Sequence, residues 1–186
     1  SEWTAVAAAQ VHSPISDTKA MLREIFSGDI DDPQVCHSHF SHFYAQIPEL
    51  YADDFSKMFA LLAQGDVPLL VNCSAGKDRT GVAAALVLHV LGVAKSDIFA
   101  DYLLTNERLK NNPAFMQMLS GRIMKNYASL PPAAQNVLMS AHEDHLNAAF
   151  AQIESTYGGV SQYLETRLSI SQDQQGQIRA ALTEPA

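Results

Sequence analysis

The sequence predicts an α/β protein whose chemistry lies at a turn from a strand into a helix. The apolar residues 69–71 are typical of a buried strand, and residues 80–91 form an apolar helix that Gly92 ends. The connecting loop, residues 74–79, contains a lysine, an aspartate and an arginine. Beyond Gly92, helix-start signals recur to the end of the chain. Strands are therefore expected in the first half and helices in the second.

Length and composition fit a single domain spanning residues 1–186. The chain is 47% hydrophobic, which is enough for a full core. Its net charge of −8 argues against nucleic acid or an anionic membrane as the main partner. No apolar run has the length of a membrane-spanning helix, and the first residues lack the pattern of a signal peptide. We expect a cytoplasmic protein, or a secreted or periplasmic one if a leader precedes this sequence.

The first half contains a short predicted strand, two helical segments and a loop. Residues 5–15 indicate the strand, residues 18–26 a helix, and residues 28–33 a loop rich in Gly, Asp and Pro. Residues 36–64 have helical spacing throughout. The candidate core positions of this last segment are Phe40, Phe43, Ile47, Leu50, Phe55, Phe59 and Leu62.

The second half carries a series of helix-start signals. They are capping residues, proline at a first helical position, and the capping-box spacing of Ser with Glu or Gln. Gly158 and Gly159 separate a long helix from a short one. The predicted starts are Ser96, with a helix through Leu109, Asn112–Pro113, Pro131–Pro132, Ser140 with Glu143, and Ser171 with Gln174.

The loop after the predicted strand has the properties of an anion site. A turn from a strand into a helix directs several N–H groups inward, and the helix dipole adds partial positive charge. Gly76 allows backbone angles that other residues adopt only with strain, so the amides can converge. The planar guanidinium of Arg79 matches two oxygens of a phosphate. We therefore predict phosphate binding in this loop.

Cys73 lies at the base of this positive field. The field should lower the pKa of its thiol, and the Thr80 hydroxyl at the helix start can hydrogen-bond the thiolate. A thiolate beneath a bound phosphate is arranged for in-line attack on phosphorus, which gives a cysteinyl-phosphate. The nucleotide-binding alternative fails, because Gly76-Lys77 is followed by Asp78 rather than by Ser or Thr.

The spacing Cys-x5-Arg-Thr-Gly at residues 73–81 matches the signature of the cysteine-dependent phosphatases. The string CSAGKDRTG resembles the bacterial tyrosine-phosphatase-like family, whose loop reads Ala-Gly-Lys-Asp-Arg-Thr-Gly. The resemblance covers most of the chain from about Val11. Two further segments carry it, DYLLTN at residues 101–106 and YGGVSQYL at residues 157–164.

This resemblance implies a fold and a set of roles. The fold is a three-layer α/β/α arrangement, with a mainly parallel sheet and a helical C-terminal half. Cys73 is then the nucleophile, Arg79 the phosphate clamp, Lys77 a further phosphate contact and Asp78 the general acid. Neither a metal nor another cofactor is expected. The residues expected around the phosphate are Ser74, Ala75, Gly76, Lys77, Asp78, Arg79 and Thr80.

Two aspartates compete for the role of general acid. Asp17 follows the first predicted strand, where many relatives of this fold carry their acid. Asp78 directly precedes Arg79, and the closest family resemblance places the acid there. Its alternative role is to brace Arg79 or the loop. We favour Asp78 and keep Asp17 as the second candidate.

The chain departs from the family pattern at two places. Asn72 stands where the superfamily usually has a histidine, so that imidazole cannot contribute to the thiolate. The family also has a strand-rich segment ahead of the part that matches Val11, and we expect those strands to be absent from this chain.

Two groups of histidines suggest metal binding only weakly. Cys36, His37, His39 and His42 are possible zinc ligands, but they do not share one helix face, so an exposed or rim-lining helix is favoured. His142 and His145 are expected to be solvated.

The remaining polar and aromatic residues have structural explanations. Asp101 and Asn106 are expected to be caps or structural hydrogen-bonding residues. Core packing is the default for four aromatic residues, although one or two could line the substrate pocket. These are Phe40, Phe43, Tyr44 and Tyr51.

The sequence therefore predicts a phosphomonoester hydrolase with a phosphorylated substrate. Protein phosphotyrosine, with possible dual specificity, follows from the resemblance. The alternatives are a phosphoinositide or a soluble phospho-metabolite, which the positive charge of Lys77 would favour. A non-catalytic phosphate-binding module is the remaining alternative. However, such modules tend to have lost the two residues that this chain keeps as Cys73 and Arg79.

Overall fold

The computed structural model describes residues 31–65, 68–73, 75–110 and 130–183. All regular secondary structure in these ranges is helical. The helices are α1 (Pro33–Leu50), α2 (Ala52–Ala63), α3 (Asp78–Val90), α4 (Lys95–Leu103), α5 (Thr105–Lys110), α6 (Pro132–Met139), α7 (Glu143–Tyr157), α8 (Val160–Thr166) and α9 (Gln172–Leu182).

Several helix ends lie where the capping residues predict them. Ser171 Oγ accepts a hydrogen bond from the Gln174 N–H, and the Ser171 N–H donates to Gln174 Oε1, which makes a complete capping box at the start of α9. Pro132 opens α6. Gly92, at φ +82°, and Gly158, at φ +78°, follow the ends of α3 and α7. These predictions are confirmed because they depend on neighbours in the chain.

Two other predicted helix ends are wrong. Ser140 does not start α7, which begins at Glu143 with His142 as its N-cap. Ser140 instead closes α6, where its hydroxyl donates to Asn136 Oδ1 at 3.2 Å. The helix predicted from Ser96 starts one residue earlier and is divided at Leu104 into α4 and α5. The helical prediction for residues 36–64 is confirmed, and the segment forms two helices, α1 and α2, joined at Tyr51.

The centre of the core is the contact between α1 and α7. Phe40 and Ile47 of α1 are buried there with Leu146 and Ile153 of α7. Helix α2 packs against α9, and α3 packs against α4. All the predicted core positions of α1 and α2 are buried except Leu50, which is 48% exposed at the end of α1.

The predicted buried strand is not present in the described part of the chain. Residues 69–73 carry no regular secondary structure, Leu70 is 87% exposed and Val71 is 39% exposed. A strand buries its apolar side chains only against a sheet, and the described ranges contain no strand with which this segment could pair. The parallel sheet therefore stays a prediction. The strand predicted at residues 5–15, the helix at residues 18–26 and the helix start at Asn112–Pro113 lie outside the described residues.

Among the helices of the described ranges, none combines the length and the apolar character needed to cross a membrane.

Gly81 sets the distance between α3 and α4. A Cβ atom at this position would lie 2.9 Å from both Cδ2 and Cε2 of Tyr102, so any side chain would collide with a buried ring. The ring of Tyr102 can therefore pack directly against the backbone of α3.

We predict that Gly81→Ala lowers the free energy of unfolding by about 1–3 kcal/mol, the usual effect of overpacking. Urea unfolding would measure it. Gly176→Ala is the matched control, since Gly176 lies inside α9 with no atom within 4 Å of the added Cβ. That substitution should stabilise by up to about 1 kcal/mol through helix propensity. Equal stability of Gly81→Ala and wild type would contradict the close approach.

Candidate active site

The loop before α3 leads into the positively polarised end of that helix. Gly76 has φ +66°, in the left-handed region that favours glycine, and α3 begins two residues later at Asp78. The first N–H groups of a helix have no acceptor within the helix, and the helix dipole adds positive charge there. The start of α3 therefore favours an anion next to the loop, as the sequence predicts.

Cys73 is linked to the start of α3 through Thr80. The N–H of Cys73 donates to Thr80 Oγ1 at 2.9 Å, and the side chain of Cys73 is half-buried. Because the Thr80 oxygen accepts from Cys73, its own proton can be donated to the sulfur. This contact brings the predicted nucleophile against the positive end of the helix.

The environment of Cys73 favours the thiolate. Burial raises the pKa of the Cys73 thiol, but hydrogen bonds from the hydroxyl and the main-chain N–H of Thr80 lower it, and the positive charge of Arg79 lowers it further. The negative charge of Asp78 acts in the opposite direction, yet the pKa as a whole is lowered from its ordinary value. A larger fraction of the protein molecules then carries the nucleophilic thiolate at neutral pH.

Arg79 is placed by an aromatic ring. Its Cζ atom lies over the ring of Tyr51, 5.3 Å from the centroid, and Tyr51 is buried where α1 meets α2. A guanidinium stacks well on an aromatic face. The guanidinium of Arg79, the predicted phosphate clamp, is thus held by a residue outside the loop motif.

Lys77 is directed into the protein and is only 2% exposed. Its Nζ donates to the carbonyl oxygens of Leu138 at 2.7 Å and Ser140 at 3.1 Å, and lies 3.4 Å from that of Val137. It also lies 5.3 Å from the centroid of the Phe40 ring. The lysine thus supplies hydrogen bonds and positive charge to the C-terminal end of α6. This placement does not agree with the predicted contact between the Lys77 side chain and phosphate.

Asp78 is held by the same part of the interior. Its Oδ1 accepts a hydrogen bond from the Tyr44 hydroxyl at 2.7 Å and lies 3.4 Å from Lys77 Nζ, and its side chain is 23% exposed. These contacts brace the loop against α1, so the bracing role considered from the sequence applies to the loop. The competing aspartate, Asp17, and the loop residue Ser74 lie outside the described residues.

The predicted solvation of His142 and His145 is wrong for His145, which is fully buried. His37 of α1 lies beside both, with its Nδ1 3.2 Å from His145 Nε2. Burial lowers the pKa of His145 to about 3, and the charges of His142, Lys77 and His37 act in the same direction. His145 is therefore neutral at physiological pH and belongs to the core.

The histidines and Cys36 do not form a metal site in the described part of the chain, where no three potential ligands are placed to share an ion. Cys36 is buried in the core, whereas His42 is exposed. The four residues of this segment thus have different surroundings, in agreement with their spacing on α1.

Asn106 is a structural hydrogen-bonding residue, as predicted. Its Nδ2 donates to the Ala141 carbonyl at 2.9 Å and its Oδ1 accepts from the Ala141 N–H at 2.7 Å. This double contact fixes the connection between α6 and α7, to which Lys77 also binds. Asp101 is exposed and lines a cavity of about 130 Å³ with Thr80 and Tyr102, which is smaller than most small-molecule sites.

Comparison with known proteins identifies the family of this chain. The model of the tyrosine phosphatase family matches residues 1–184. An inferred tyrosine-protein phosphatase of Cupriavidus necator is 38% identical over 127 residues, 68% of this chain and 44% of that protein. The triple specificity protein phosphatase PtpB of Mycobacterium tuberculosis is 33% identical over 135 residues, 68% of this chain and 47% of PtpB. A tyrosine-protein phosphatase of Nostoc commune is 29% identical over 131 residues, 69% of this chain and 44% of that protein.

The chain belongs to the tyrosine phosphatase family. The matched regions amount to a little under half the length of the curated relatives.

We predict that Lys77→Met lowers the free energy of unfolding by about 2–5 kcal/mol, because it leaves the carbonyls at the end of α6 without their donor. Chemical denaturation would measure the loss. Lys95→Met is the matched control, since Lys95 is exposed and donates to a single side chain among the described residues, Asn147 Oδ1 at 3.1 Å. The stability of this variant should stay close to that of wild type.

The same two variants distinguish a structural role of Lys77 from a role in phosphate binding. If Lys77→Met keeps wild-type stability but binds phosphate much more weakly, the side chain contacts the ligand, and the structural role is refuted.

Proposed function

We propose that this protein is a phosphomonoester hydrolase that works through a cysteinyl-phosphate intermediate. The observation that carries the proposal is the lowered pKa of Cys73 beside Thr80 at the start of α3. Membership of the tyrosine phosphatase family supports it. The residues that we assign to the reaction are Cys73, Asp78 and Arg79, with the loop around Gly76 and Thr80 holding the phosphate.

The proposed reaction has two steps. In the first, the Cys73 thiolate forms a bond to phosphorus while the bond from phosphorus to the leaving oxygen breaks, and Asp78 gives that oxygen a proton. In the second, water attacks phosphorus and the bond to sulfur breaks, which releases inorganic phosphate and restores the thiolate. Asp78 takes up a proton from this water. Arg79 and the amides at the start of α3 stabilise the equatorial oxygens in both steps.

Phosphotyrosine in a protein is the substrate that we propose. The printed names of the relatives are those of tyrosine-protein phosphatases, and one is called a triple specificity phosphatase, so other phosphorylated groups are secondary candidates. The charge of Lys77 was the sequence argument for a phosphoinositide or another strongly anionic substrate. Its burial against the end of α6 removes that argument.

The parallel sheet of the α/β/α fold is part of this proposal. Residues 69–71 would form the strand that leads into Cys73, as the family resemblance implies. The exposure of the apolar Leu70 and Val71 supports it, since neighbouring strands would cover these side chains.

A non-catalytic phosphate-binding module explains the surroundings of Cys73 and Arg79 less well than an enzyme does. Such a module needs the positive loop but has no use for an ionised thiol. The lowered pKa of Cys73, next to an arginine held for phosphate, favours the enzyme.

We predict that Cys73→Ser abolishes hydrolysis of phosphotyrosine peptides, because an alcohol in this loop is not ionised at neutral pH. Vanadate binding should persist, since the loop and Arg79 are unchanged. A panel of phosphopeptides, phosphoinositides and sugar phosphates, followed by phosphate release, would measure both activity and substrate class.

Cys36→Ala is the control, because Cys36 is the second cysteine of the chain and is buried in the core. Folded Cys36→Ala should retain wild-type turnover. Retained turnover in Cys73→Ser would exclude Cys73 as the nucleophile.

A further inference from the structure

Two tyrosine hydroxyls are buried directly behind Asp78. The Tyr44 hydroxyl lies 2.7 Å from Asp78 Oδ1 and 2.7 Å from the hydroxyl of Tyr102. Tyr44 belongs to α1 and Tyr102 to α4, and both side chains are buried. Three separate parts of the chain thus meet at one carboxylate.

Proton counting gives this chain of hydrogen bonds a direction. Each phenol has one proton, and the proton of Tyr44 is donated to Asp78. The Tyr44 oxygen must then accept the proton of Tyr102. The hydrogen bonds therefore run from the Tyr102 hydroxyl through the Tyr44 hydroxyl to the Asp78 carboxylate.

Both phenols remain protonated over the working pH range. Burial raises the pKa of Tyr44 well above its ordinary value, and the charge of Asp78 raises it further. Burial likewise raises the pKa of Tyr102. Both hydroxyls can therefore serve as fixed hydrogen-bond donors.

The rings are fixed as firmly as the hydroxyls. The Tyr44 ring packs edge-on against Phe43, with centroids 5.9 Å apart, and lies 5.3 Å from the neutral imidazole of His145. The Tyr102 ring lies against Gly81, where an added Cβ would be 2.9 Å away. Neither hydroxyl can move far without repacking the core.

The side-chain contacts of Asp78 involve one of its two carboxylate oxygens. Oδ1 receives the Tyr44 hydroxyl and lies nearest to Lys77, whereas Oδ2 has no hydrogen-bond partner among the described residues. One oxygen is thus anchored to the interior, and the other remains available for the proton that a general acid must carry.

We propose that Tyr44 is a positioning residue that aims the Asp78 carboxyl so that Oδ2 delivers its proton to the leaving oxygen, and that Tyr102 orients Tyr44. This inference rests on the function proposed above. Proton transfer requires the acid to lie within hydrogen-bonding distance of the leaving oxygen, and a small displacement lowers the rate strongly. Without the Tyr44 hydroxyl, the carboxyl group of Asp78 would rotate about the side-chain bonds of that residue.

We predict that Tyr44→Phe, which removes only the hydroxyl, lowers kcat for phosphotyrosine by about 10- to 100-fold with little change in KM. An aryl phosphate whose leaving group departs as a stable anion needs no acid, so its hydrolysis should fall by less than about threefold. Rates over a series of aryl phosphates should therefore depend more steeply on leaving-group pKa than in wild type. Tyr102→Phe should change this dependence in the same direction to a smaller extent.

Tyr163→Phe is the matched control. Tyr163 is also fully buried, but its hydroxyl donates to the Pro48 carbonyl at 2.6 Å rather than to Asp78. This variant loses the same chemical group and should keep the wild-type dependence on leaving group in its folded fraction.

The outcomes separate this inference from the proposed function. If the wild-type chain hydrolyses no phosphomonoester, the proposed function fails and the role of Tyr44 fails with it. If wild type is active but Tyr44→Phe leaves all rates unchanged, or slows every substrate equally, the positioning role is refuted and only the proposed function stands.

Discussion

The arrangement of the site depends on the burial of the Lys77 cation behind the loop. A buried charge is tolerated only when it is hydrogen-bonded, and this one is held by the carbonyls of Leu138 and Ser140. These bonds fix the residue before α3 to the end of α6, so the next three side chains begin from a defined position. Asp78 reaches α1, Arg79 lies over the ring at the start of α2, and Thr80 binds Cys73. One buried cation thereby places the proposed acid, the proposed clamp and the proposed nucleophile together.

The electrostatics of the site balance two opposite requirements. A thiolate needs positive surroundings, which Arg79 and the start of α3 provide. A general acid must lie nearby, yet the charge of Asp78 raises the pKa of Cys73. The hydrogen bond from Tyr44 and the proximity of Lys77 offset this negative charge and hold the carboxylate against the interior. In the proposed reaction, the aromatic core under the loop therefore contributes to the chemistry as well as to stability.

The sequence predicts the parts of this site that local chemistry determines. The ends of α3 and α9 follow from Gly92 and from the capping box at Ser171, and the loop motif identifies Cys73. Tyr44 lies in the core as predicted, but the sequence does not indicate the partner of its hydroxyl or the surroundings of Lys77 and His145, because contacts with distant parts of the chain determine them. Lys77 binds Leu138, 61 positions along the chain, and Tyr44 binds Asp78, 34 positions along the chain. Tyr44 follows Phe40 by one helical turn and has the spacing of a core residue. The amino-acid sequence around it therefore does not indicate a contact with Asp78. The buried strand at residues 69–71 stays a prediction for a similar reason, since its burial requires neighbouring strands, which the described ranges do not contain.

The central claim is that Thr80 and the start of α3 lower the pKa of the Cys73 thiol, and its titration tests this directly. The rate of alkylation of Cys73 by iodoacetamide, resolved by peptide mass spectrometry, would be measured against pH in wild type and in Thr80→Val. We expect the wild-type rate to rise at a pH below the usual cysteine value of about 8.5, and the rise in Thr80→Val to move to higher pH. A wild-type transition at or above that usual value, unchanged by Thr80→Val, would contradict the account.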